Sequence, residues 1–106
     1  DTLVAKVEHW LSLLGLQRSE QWQICNQYHH GGYAKVTSEL LAFMSELESL
    51  NNIKLEPVYT AKLLWAIQEL ATNHYWSESA SSSPKVTNLV AIHSGGLQGR
   101  RGYSLD

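Results

Sequence analysis

The stretch Asn88-Leu89-Val90-Ala91-Ile92-His93-Ser94-Gly95-Gly96 decides how the fold is read. Asn88 to Ile92, following Val86, is a short and almost wholly apolar run. A run of that length, bounded by a polar segment and by paired glycines, predicts a fully buried strand of a parallel sheet. It ends in Ser94, Gly95 and Gly96. Ligands of α/β sheets sit outside the carboxyl ends of strands, and glycine lets backbone approach a ligand closely. The plain alternative is a turn that closes Ile92.

Upstream of this run, helical and extended patterns alternate. Leu3, Val7, Trp10 and Leu14 recur at helical spacing, with Val4 and Leu11 alongside, and Gly15 suits that helix's end. Gln21 to Asn26 reads as a strand, and Tyr28 to Tyr33, with Gly31-Gly32, as a loop. Thr37 or Ser38 can cap a second helix whose apolar seam is Leu40, Phe43, Met44, Leu47 and Leu50. Asn51-Asn52 stops it, and Ile53-Lys54-Leu55 is a brief extended piece. Pro57 suits the first turn of a third helix, with Leu63, Leu64, Ile67, Leu70 and Ala71 as its buried stripe. Residues 77–84, rich in serine and closed by Pro84, read as a mobile, solvated link. The order helix, strand, helix, short strand, helix, strand predicts an α/β domain with parallel-sheet strands flanked by helices. So few strands leave open edges, so more chain or a close partner is expected.

Bulk properties narrow the function. With 106 residues, 43% apolar and 17% charged, the chain suits one small globular domain. A net charge of −2 gives no electrostatic footprint for nucleic acid or an acidic membrane. No apolar run reaches the ~20 residues of a membrane span. Cys25 is the sole cysteine, which fits a reducing, cytoplasmic compartment. Its apolar surroundings predict a buried small residue. The chain starts at Asp1 inside a helical pattern, so it is expected to be a piece of a longer protein.

Chemistry has few candidate places. Tyr59 and Thr60 open the third helix. They are either a packed ring and a helix cap, or an aromatic face and a hydroxyl for a planar ligand. Most first-turn residues are structural. His29-His30 and His93 lack the convergent ligands a metal needs, so no metal is expected. Arg100-Arg101 reads as a solvated pair, and Lys62, off the Leu63–Ile67 stripe, as an exposed lysine. Gly31-Gly32 lacks any nucleotide-binding pattern.

Three segments share one likeness. Gly32-Tyr33-Ala34-Lys35 looks like a "GYG" loop. Glu56-Pro57-Val58-Tyr59-Thr60-Ala61-Lys62 looks like "(D/E)PVYTGK". Leu89 to Gly96 looks like a strand running into "HTGG", with Ser94 for the threonine. In this order they resemble the pyridoxal-phosphate enzymes grouped as D-cysteine desulfhydrase and 1-aminocyclopropane-1-carboxylate deaminase, over the chain from Trp22 to its end.

The resemblance implies the C-terminal part of the cofactor (large) domain of a fold type II pyridoxal-phosphate enzyme, spanning residues 1–106. By similarity, Tyr59 is the active-site tyrosine beside the cofactor ring and Tyr33 the second tyrosine. Ser94 is the partner of the pyridine nitrogen, with Thr60, Gly95 and Gly96 around the cofactor. Ring-opening deaminases typically carry glutamate after that tyrosine. Thr60 therefore implies the desulfhydrase-like branch, with β-elimination of a small amino acid to pyruvate, ammonia and sulfide. The lysine that carries the cofactor and the glycine-rich phosphate loop lie upstream in the family. None of Lys6, Lys35, Lys54, Lys62 or Lys85 matches that lysine. The chain alone is thus expected to be inactive. Its expected partners are the amino-acid substrate, the remainder of the parent enzyme and a second copy as a homodimer. A non-catalytic α/β interaction module and a ring-opening deaminase are the competing readings.

Overall fold

The computed structural model describes residues 2–16, 22–76 and 88–105. The link expected over 77–84 lies outside them, as do Gln21 and Val86. Helix α1 spans Thr2–Leu13, α2 Ser38–Asn51 and α3 Thr60–Thr72, and a 3-10 helix spans Leu97–Tyr103.

The expected α/β sheet is not there: the described residues contain no strand. Residues 22–26, 53–56 and 88–96 run as irregular chain between helices. The apolar run predicted as a buried strand is open to solvent, with Val90 88% and Ile92 76% exposed. The physical reason is that a strand is a pairing, not a local conformation. Aliphatic side chains favour extended backbone, but only a neighbouring chain segment can complete the ladder.

What holds the fold is the contact of α2 with α3. Thr37 Oγ1 accepts the Leu40 N–H at 3.1 Å, satisfying a donor at the start of α2. Asn52, in left-handed backbone, ends that helix with its N–H on the Glu48 carbonyl at 3.0 Å. Leu40 and Met44 from α2, Leu55 before α3 and Ala61 in α3 are buried together, with Phe43, Leu47, Leu64 and Trp65 packed around them. Leu50, expected in the seam, is exposed. The expected stripe of α3 is also rotated. Ala61, Leu64 and Trp65, at i, i+3 and i+4, face the core. Leu63, Ile67 and Leu70 instead line an open concavity, and Ala71 is exposed. Helix α1 buries none of its residues, and Trp10 is 65% exposed.

A buried ion pair closes the C-terminal end onto this core. Arg100, only 5% exposed, donates from Nη1 to the Glu48 carboxylate and to the Leu55 carbonyl. Glu48 Oε2 also accepts the Leu55 N–H at 2.6 Å. The Arg100-Arg101 pair is therefore not a solvated surface pair: its first member is a structural anchor.

Candidate functional site

The site is organised by the start of α3. Pro57, Val58 and Tyr59 form a turn, and the helix begins at Thr60. The first donors of a helix need partners. Here Glu56 supplies partners with both backbone and side chain, its carbonyl accepting the Ala61 N–H at 3.0 Å. The Glu56 carboxylate, on a residue 1% exposed, accepts the N–H groups of Val58 at 2.8 Å, Tyr59 at 2.6 Å and Thr60 at 2.7 Å. The Thr60 hydroxyl accepts the Glu56 N–H at 2.9 Å and donates to the Glu56 carbonyl at 3.2 Å. A helix start of this kind attracts anions, but this one is already filled by the chain's own carboxylate. Thr60, expected at a cofactor, is buried and has its hydroxyl bonded to the Glu56 backbone.

The closure aims Tyr59 outward. Its side chain is 55% exposed, and its hydroxyl lies 2.9 Å from the hydroxyl of Tyr33, with ring centroids 6.2 Å apart. The hydrogen bond to Tyr33 and the charge Tyr33 can carry hold the Tyr59 phenol above its ordinary value. Partial desolvation and the Glu56 carboxylate push the same way. Tyr59 therefore keeps its proton, and the two hydroxyls share one hydrogen bond in which either can donate.

Tyr59, Thr60, Lys62 and Ser94 line an open concavity of about 530 Å³, together with Cys25, Tyr28 and apolar residues of α3. Ser94 reaches it because His93 is tied on both nitrogens. Nε2 is bonded to the Lys54 carbonyl at 2.9 Å, and Nδ1 accepts the Gly95 N–H at 3.1 Å. The carbonyl partner fixes the proton on Nε2. Gly96 then passes over Glu56, where a Cβ would come within 3.6 Å of the Glu56 side chain in left-handed backbone. Gly95 and Gly96 thus shape the turn after Ser94 and are not among the residues lining the concavity.

Several residues differ from their sequence-based expectation. Cys25, expected to be buried, is exposed on the concavity. Lys62, expected to be exposed, is half-buried and donates from Nζ to the Gly32 carbonyl at 3.1 Å. Burial lowers its pKa, opposed by the Glu56 carboxylate. The spacing signal for Lys62 existed, since it neighbours Leu63 on the concave face, but the stripe assigned to α3 hid it. Among the described residues no three metal-binding side chains converge.

Comparison with known proteins bears on the same segments. The chain is 33% identical, over 103 residues, to a Thermotoga maritima protein named "Putative 1-aminocyclopropane-1-carboxylate deaminase". That match covers 93% of this chain and 30% of that protein. A protein of the same name from Pyrococcus abyssi is 29% identical over 93 residues, covering 88% of this chain and 26% of that protein. Over nearly its whole length the chain is similar to one part of these proteins. No protein-family model and no solved structure matches it. The chain spans less than a third of the length of these curated relatives. Both matches are longer than the stretch from Trp22 onward, so the family likeness reaches back into the segment before it.

Proposed function

We propose that this chain is the part of a pyridoxal-phosphate-dependent lyase or deaminase that presents the tyrosine pair and the pyridine-side hydroxyl to a small amino acid. The observation that carries the proposal is the Tyr59–Tyr33 hydroxyl contact at 2.9 Å, on a wall shared by Tyr59 and Ser94. The likeness to these proteins supports it. The pyridine end of the cofactor fits these residues, with an exposed ring and an exposed hydroxyl on one concave surface. Its phosphate end does not find a holder at α3, whose first donors are taken by Glu56. A phosphate loop and a cofactor lysine would come from the rest of a longer parent, as would the companion subunit of a homodimer.

When bound, the cofactor serves as the electron sink for a carbanion beside the amino group. The chain's own residues have simpler work. Ser94 offers a neutral hydroxyl to the ring nitrogen and does not enforce its protonation. Tyr59 supplies an aromatic edge and a phenol that holds its proton. Tyr33 orients that phenol through the shared hydrogen bond. Leu63, Ile67 and Leu70 keep one side of the concavity apolar.

The finer reading is β-elimination from D-cysteine. It rests on Thr60, whose hydroxyl is closed onto Glu56 backbone and offers no second acid beside Tyr59. The printed names of the relatives favour the second reading, opening of the 1-aminocyclopropane-1-carboxylate ring. Steady-state kinetics of the intact parent on both substrates decides between them. Tyr59→Phe in that parent should lower turnover by ~10²–10⁴-fold, as loss of a general acid–base group does. A fully active Phe variant removes Tyr59 from the mechanism.

A further inference from the structure

Tyr33 sits in a turn whose own bonds are the Gly32 N–H on the His29 carbonyl at 3.2 Å and the Lys35 N–H on the Gly32 carbonyl at 3.1 Å. Gly31 and Gly32 both have positive φ, and Ala34 lies in left-handed backbone at φ 60. That conformation is disfavoured for alanine and persists only where surroundings impose it. Tyr33 itself is exposed, so packing does not impose it. The two carbonyls flanking Tyr33 are also held from outside the turn. Lys62 Nζ donates to the Gly32 carbonyl at 3.1 Å, from α3. The Tyr103 hydroxyl donates to the Ala34 carbonyl at 2.7 Å, from the 3-10 helix. Both donors come from later in the chain, one from α3 and one from the 3-10 helix, and Tyr33 lies between the two carbonyls they hold.

We infer that Lys62 and Tyr103 are positioning residues that clamp the Tyr33 loop so that its hydroxyl meets Tyr59. The clamp explains why Lys62 is drawn into the concave wall despite the cost of partial burial. It also gives the C-terminal segment a task at the site: Arg100 anchors the 3-10 helix to the core, and Tyr103 extends that anchor to the loop. Neither residue needs to touch substrate. Their catalytic relevance rests on the proposed role of the tyrosine pair, but the clamp itself does not.

The test uses the chain with ¹³C-labelled tyrosine rings, the Tyr59 signal being assigned with Tyr59→Phe. Lys62→Met keeps the aliphatic stem and removes the donor. Tyr103→Phe keeps the ring and removes the hydroxyl. Each should weaken ring-to-ring NOEs between Tyr33 and Tyr59 and move the Tyr59 titration down toward the ordinary value of about 10. Lys62→Arg, which keeps a donor, should behave as wild type. The direction discriminates, because removing a positive charge near a phenol by itself would move its titration up. Unchanged NOEs and an unchanged Tyr59 titration in both Lys62→Met and Tyr103→Phe would overturn the clamp. If both signals shift as expected but Tyr59→Phe leaves the parent's turnover intact, the clamp stands and the catalytic role of the pair falls.

Discussion

Glu56 is where one side chain carries the most backbone donors. Its carboxylate accepts three backbone N–H groups at 2.6–2.8 Å and is shut away from water. Glu56→Ala leaves all three donors without a partner. Those of Val58 and Tyr59 lie on residues that reach solvent, so water can replace the carboxylate there. Each such loss is worth about 0.5–1.5 kcal/mol. The Thr60 N–H is different, because Thr60 is buried. An unsatisfied buried donor costs about 1–3 kcal/mol. Together these give a loss of roughly 2–6 kcal/mol for Glu56→Ala, a large part of the ~5–15 kcal/mol that holds a domain together. Glu56→Gln keeps one oxygen for Tyr59 and Thr60 but turns an amide N–H₂ toward the Val58 N–H. It should lose less, about 1–2 kcal/mol. Urea unfolding of the three proteins, with a common m-value, measures both differences. A loss below about 0.5 kcal/mol for the Ala variant would refute the closure of α3 by Glu56.

Further outcomes follow from buried charges. Arg100→Met should cost about 3–5 kcal/mol in the same unfolding assay, because it strands a largely buried Glu48 carboxylate. Adding Glu48→Gln should recover part of that loss. His30 packs its ring edge-on to Trp65 at 4.9 Å, and burial, then the Lys62 and His29 charges, lower its pKa against a weaker pull from Glu39. With the folded value below the unfolded one, the unfolded chain binds more protons between them. Stability is fully present above the ordinary value near 6.5 and is lost as pH falls through the folded value. His30→Asn, which tolerates the positive φ at this position, should flatten the fall in melting temperature between about pH 8 and about pH 5.

The sequence was legible where chemistry is local. Thr37 announces its helix because a hydroxyl ahead of Glu39 and Leu40 can satisfy a helix donor. The i, i+4 pair Leu40 and Met44 is buried as its spacing predicts. Asn52 and Gly15 take the left-handed backbone their side chains permit. The family likeness, carried by Glu56 to Lys62 and Leu89 to Gly96, agrees with the matches to known proteins. What failed was anything needing a distant partner. Leu89 to Ile92 looks like a strand by composition, yet nothing in composition names the segment it would pair with. Helix α3 misled in another way. Apolar residues fall on two of its faces, so periodicity alone could not say which face meets α2.

The same distinction separates the two kinds of charged residue in this chain. Arg100 and Lys62 look alike in sequence, each a cation beside glycines or small residues. What decides their role is the acceptor waiting for them. Arg100 meets a carboxylate and a carbonyl of the core at one nitrogen, and so becomes part of the fold. Lys62 meets only the carbonyl before Tyr33, on an exposed loop. A bond to a core anchor stabilises the whole, whereas a bond to a loop carrying one exposed tyrosine chiefly sets where that tyrosine points. Glu56 joins both tasks: it closes α3 and, through the same oxygens, fixes the backbone from which Tyr59 projects. The phenol of Tyr59 on the concave wall is thus set by charged groups bonded to backbone rather than to a ligand.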